Sequence, residues 1–145
     1  MIRQEVLAPL ARQIQPILAT FIPATAKLSL AELGPVLERV DERLADEPVA
    51  LQRQLRLFVR ILWWLPVFTH LRTLGGLRPE QRLKLLSWLQ DCGVTKLRVG
   101  LWGLRTLLFV GWYGDPAVQA RLGYRPNIAG WDAWHAPQAA QKQGE

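Results

Sequence analysis

The chain has 145 residues, half of them hydrophobic and 21% charged, which suits one domain with its own core and excludes a disordered or low-complexity segment. A single cysteine, Cys92, rules out an internal disulfide and a multi-thiolate metal site. The net charge of +6 is uneven: residues 1–50 sum to −2, residues 51–110 to +8 and residues 111–145 to zero. A basic middle fits an acidic protein or anionic lipid, whereas nucleic acid is not expected because no recognition motif accompanies the charge.

Taken in chain order, the pattern is helical. Residues 3–20 have helical composition that Pro9 and Pro16 should kink or divide. The capping-box pattern "SLAE" (29–32) opens a second helix, in which Gly34-Pro35 is expected to leave Val36 to Leu44 as the regular part. Pro48 suits the start of a third helix, with Leu51, Leu55, Phe58, Val59 and Leu62 on one side and Arg53, Arg56 and Arg60 on the other, until Pro66 bends or ends it. Pro79-Glu80 opens a fourth, Leu-rich helix that Gly93 should close in a left-handed conformation. Thr95 is placed to cap a fifth helix running to about Tyr113, whose Gly100 and Gly103 leave room for a neighbouring helix. Asp115 and Pro116 start a short sixth helix that Gly123 ends. The expected fold is all-α, a bundle of about five to six helices over 1–126, some kinked by proline, with an irregular tail at 127–145.

No charge-free stretch reaches the length needed to span a bilayer; the longest, residues 13–26, has fourteen residues. That stretch is broken by Gln13, Gln15 and Pro16, so neither a transmembrane helix nor a signal peptide is expected. A cytoplasmic or inner-membrane-surface location follows as the expectation.

Catalytic patterns are sparse. There is no glycine-rich dinucleotide fingerprint or phosphate loop, and His70, His135 and Cys92 are too scattered for zinc. Cys92 sits at a helix C-terminus, where the dipole disfavours a thiolate. The acidic pairs Asp41-Glu42 and Asp46-Glu47 read as solvated or helix-end charge, since helical neighbours point about 100° apart. The expectation is a chain that is not itself an enzyme and binds no metal or cofactor alone.

What stands above background is aromatic. Seven tryptophans include the adjacent Trp63 and Trp64 in "RLFVRILWWLPVF" (56–68), a segment apolar nearly all round. Trp112 and Tyr113 precede the Asp115-Pro116 cap, Tyr124 follows Gly123, and Trp131 and Trp134 punctuate the tail. These nine positions, from Trp63 to Trp134, are the candidate partner-binding residues, and core packing is the competing reading for the rings.

Three segments resemble a known group: a helix ending "LPVF", then "LRPEQRLKLLSWL" (77–89), then "LRTLLFVGWYGDPAVQARLGYRP" (104–126). Together, over roughly residues 20–126, they look like the small helical subunit, or helical N-terminal region, that accompanies flavin oxidoreductases of the glucose–methanol–choline (GMC) superfamily. The similarity is to the gluconate-dehydrogenase small-subunit type and the leading region of long-chain alcohol oxidases. Pro79 and Trp88 match one motif, and Tyr113, Asp115, Pro116, Gly123 and Tyr124 the most recognisable one. The resemblance implies a non-catalytic subunit that binds and stabilises or matures a large FAD-dependent alcohol oxidoreductase, with FAD on the partner. The twin-arginine signal usual in exported members is absent. The alternative is a membrane-surface module using the basic, Trp-rich helix.

Overall fold

A computed structural model describes residues 5–125. Among them the architecture is all-helical, as the periodicity predicts. A 3-10 turn at Ala8–Leu10 leads into α1 (Ala11–Phe21), followed by α2 (Leu30–Leu44), α3 (Val49–Trp64), the short α4 (Val67–His70), α5 (Pro79–Asp91), α6 (Thr95–Tyr113) and the short α7 (Pro116–Arg121). Contacts divide the chain into two units, Met1–Gly114 and Asp115–Glu145. The expected tail at 127–145 lies outside the described residues.

In the first unit α2 and α6 make the most extensive helix pair, α1 lies against α2, α5 and α3, and α5 packs on α6. The core follows the i, i+3, i+4 rows: Ile14, Ile17 and Leu18 of α1, Leu33, Leu37, Val40 and Leu44 of α2, Phe58, Val59 and Leu62 of α3, and Leu101, Leu104 and Leu108 of α6. Gln52 is also buried, and its amide donates to the carbonyls of Leu44 and Glu47 at 2.9 and 3.0 Å. It thereby ties the last carbonyl of α2, at Leu44, and the Glu47 carbonyl in the loop that follows to the first turn of α3.

Several local expectations change. Helix α1 runs on through Pro16 and α2 through Pro35, so neither proline divides its helix. An internal proline costs about 3 kcal/mol, but each fully buried Leu, Ile or Val returns about 1.5–3 kcal/mol. Helix α2 buries Leu33, Val36, Leu37, Val40 and Leu44 around its proline, so packing wins. Gly93 does not take a left-handed conformation, because the extended Cys92 already ends α5. Thr95 is the first helical residue of α6, after Val94, and makes no side-chain cap. Gly103 has open space around it, so of the pair Gly100 and Gly103 only Gly100 meets a neighbour, the ring of Phe58.

Asp41 is the largest correction. It is 8% exposed rather than solvated, and its carboxylate accepts the N–H groups of Val6, Leu7 and Ala8 at 3.0, 2.8 and 3.1 Å. These are the donors at the start of the Ala8–Leu10 turn, so α2 caps a segment more than thirty positions earlier in sequence.

The capping box on α2 forms as expected: Glu32 N–H donates to Ser29 Oγ at 3.3 Å, and Ser29 N–H to Glu32 Oε2 at 2.8 Å. The Ser29 backbone N–H first, then the Ser29 hydroxyl, lower the Glu32 pKa from its ordinary value. A depressed carboxyl contributes stability above its ordinary pKa and loses it as pH falls through the folded value. An NMR titration is therefore expected to place the Glu32 midpoint below that of an ordinary glutamate, and Ser29→Ala, which removes the hydroxyl but keeps the backbone N–H, to move it only part of the way back up. A wild-type midpoint at or above that of an ordinary glutamate would refute the assignment.

In the second unit, Asp115 Oδ1 accepts the N–H of Ala117 at 2.8 Å and Pro116 takes the first helical position. Gly123 has φ 71°, with Tyr124 N–H donating to the Gln119 carbonyl at 2.9 Å and Gly123 N–H to that of Ala120 at 3.1 Å. This is a Schellman closure, and it needs glycine for the left-handed residue.

Candidate interaction surface

Helix α6 buries one side and presents another. On a 3.6-residue helix, Val99, Trp102, Gly103, Thr106, Val110 and Tyr113 fall within an arc of about 100°, along about 21 Å of axis. All six are exposed, and none carries a charge at neutral pH. Gly103 has nothing near the position a Cβ would take, so the middle of the stripe is flat.

An aromatic ladder borders this stripe. The Arg105 guanidinium lies over the rings of Phe109, Trp102 and Phe21, at 5.1, 5.4 and 5.8 Å from their centroids. Phe109 meets Phe21 and Tyr113 edge to face, at 6.5 and 5.9 Å. The guanidinium, itself set over Phe21 and Phe109, makes one cation–π contact to Trp102 and leaves that ring 53% exposed. An aromatic ring that is fixed before binding loses little entropy when it is covered.

The nominated residues separate into distinct roles. Trp63 is half-buried against the core. A Cβ on Gly75 would lie 2.6 Å from the Trp63 ring, so this indole packs down on the glycine backbone instead of facing outward. It forms one wall of a shallow groove of about 390 Å³, shared with Arg12, Gln15 and Arg82. Trp64, one position on, is 57% exposed. Trp112 is half-buried against the core, whereas Tyr113 is exposed at the end of the ladder.

In the second unit Asp115 and Pro116 build the α7 cap, and Tyr124 is exposed beside a shallow groove lined by Gln119 and Arg125. Trp131 and Trp134 lie outside the described residues. Sequence reasoning missed Trp102, Arg105 and Phe109 as a surface group. The signal was present in the steps of three and four from Trp102 through Arg105 and Phe109 to Tyr113.

The chemistry of the described residues is slight. Cys92 is a buried free thiol, and its Sγ approaches the Val94 carbonyl at 3.7 Å. His70 is exposed and bonds through Nδ1 to the Thr69 hydroxyl at 2.8 Å. No group of three or more His, Cys, Asp or Glu side chains among the described residues is placed to hold a metal ion. No helix among them is long and apolar enough to cross a membrane. Comparison with family models, curated proteins and solved structures finds no match to this chain.

Proposed function

We propose that this chain is a non-catalytic accessory subunit that docks through the outer stripe of α6 on a large FAD-dependent alcohol oxidoreductase of the GMC type, and stabilises or matures it. The observation that carries the docking reading is the uncharged, exposed stripe from Val99 to Tyr113, with Trp102 held on Arg105. Interface cores are depleted in charge, and their energetic anchors are most often Trp, Tyr and Arg. The flat position at Gly103 leaves room for an approaching helix. The partner's class rests on the resemblance of residues 77–89 and 104–126 to that group. In this reading FAD and the chemistry belong to the partner, and the complex sits in the cytoplasm or at the inner-membrane surface.

Co-expression with a flavoprotein encoded beside it is expected to yield a one-to-one complex carrying flavin absorbance. Trp102→Ala should weaken that complex about thirtyfold, since truncating a tryptophan anchor costs about 2 kcal/mol. Helical circular dichroism of the isolated chain should stay unchanged. A wild-type chain that elutes alone, or an Ala variant that binds as the wild type does, would sink the reading.

A further inference from the structure

The end of α3 and the whole of α4 form a second surface of different character. Leu57, Ile61 and Trp64 recur at four- and three-residue steps on the exposed side of α3, and Arg53 and Arg60 share that side. The chain then turns at Pro66 into α4, where Phe68 is 88% exposed, and Leu71 just beyond is also 88% exposed. Leu71 has φ 54°, the one left-handed residue other than glycine among those described. Leucine rarely adopts this conformation, and here it holds a large apolar side chain out in water. Arg72 follows and is exposed.

Charge decides what would cover such a corner. From Pro48 to Pro79 the sequence has five arginines and no Asp or Glu. The α6 stripe, by contrast, is neutral. Two copies of this chain meeting at the corner would bring Arg53, Arg60 and Arg72 against their own kind, which disfavours self-association. Side chains as fully exposed as Phe68 and Leu71 protrude, and protrusion suits penetration more than flat docking. Apolar tips, an indole and arginines together match the layered chemistry of an anionic bilayer: acyl boundary, headgroup level and phosphate.

We propose that the α3–α4 corner docks on an anionic phospholipid surface, with Phe68 and Leu71 entering the acyl boundary, Trp64 at headgroup depth and Arg60 and Arg72 on lipid phosphates. The contact is peripheral and independent of the α6 stripe.

The test is flotation of the full chain with vesicles of phosphatidylcholine alone or mixed with phosphatidylglycerol. Flotation is expected only with the mixed vesicles, and added salt should release the protein. Phe68→Ser with Leu71→Ser should lower partitioning at least about tenfold. Arg60→Gln with Arg72→Gln should lower it about tenfold or more and flatten its salt dependence. All four residues are exposed, so circular dichroism should not change, and Trp102→Ala should float as the wild type does. The proposal is overturned if the wild type does not float, or if the serine pair floats unchanged. It is also overturned if the serine pair breaks a protein complex or dimer while the wild type shows no vesicle binding, which would make the corner a protein interface.

Discussion

Replacing Asp41 with alanine is expected to lower the unfolding free energy by about 3–5 kcal/mol, a large share of the 5–15 kcal/mol typical of a domain. The carboxylate accepts three backbone N–H groups through both oxygens. Val6 and Leu7, which supply two of them, are themselves fully buried. A net hydrogen bond to a charged group is worth about 1.5–3 kcal/mol, and unpaired buried donors add their desolvation cost. The sum has a ceiling, because the N-terminal segment can instead detach. Detachment gives up the burial of Val6, Leu7 and Leu10, at about 1.5–3 kcal/mol for each, and returns some chain entropy. Asn is expected to rescue only partly, since its amide offers one acceptor oxygen and turns an NH₂ toward the donors. Denaturant unfolding measures the loss, and hydrogen exchange at residues 6–8 should lose its protection in step. A loss below about 1 kcal/mol would show that the cap is dispensable.

Asp41 also marks the limit of what the sequence discloses. Helix positions follow from local rules, because the capping box at Ser29, the proline starts at Pro79 and Pro116 and the Gly123 closure are satisfied within a few residues. Asp41 is satisfied by donors 33 to 35 positions away; helical periodicity sets it beside the apolar row, four positions after Leu37, and puts Glu42 opposite, but no local pattern names those donors. Pro16 and Pro35 fail as breakers for a related reason, since the burial around them exceeds a local penalty. The two adjacent aromatic pairs, Trp63-Trp64 and Trp112-Tyr113, show the limit at the surface. Adjacent rings on a helix diverge by about 100°, so one member of each pair can turn inward while the other faces water. The sequence names the pairs, but only the neighbouring helices decide that Trp63 packs on Gly75 and Trp64 is exposed.

The same dependence on neighbours gives two glycines of α6 opposite expected effects. A Cβ at Gly111 would lie 2.6 Å from Val40 Cγ2 and 2.8 Å from the Val36 carbonyl oxygen. The second of these is backbone of α2, which no rotamer change can move aside. Arg39 Nη1 also donates to the Gly111 carbonyl at 2.9 Å, tying the two helices together where they come closest. Gly111→Ala must therefore push α6 from α2 across the most extensive helix contact of the fold. Overpacking of this kind costs about 1–3 kcal/mol, and the gain of alanine over glycine in a helix returns up to about 1 kcal/mol. With backbone in the way the cost should dominate, for a net loss of about 1–2 kcal/mol, and Gly111→Val should lose about 3 kcal/mol or more. Gly103→Ala meets nothing within 4 Å, so it should stabilise the isolated chain by about 0.5–1 kcal/mol. If the α6 stripe is the docking face, that same methyl should weaken the complex by filling the flat position that a partner helix approaches. Thermal unfolding of the isolated chain and titration of the complex would then move in opposite directions for Gly103→Ala, a pairing that intrinsic helix propensity alone cannot produce.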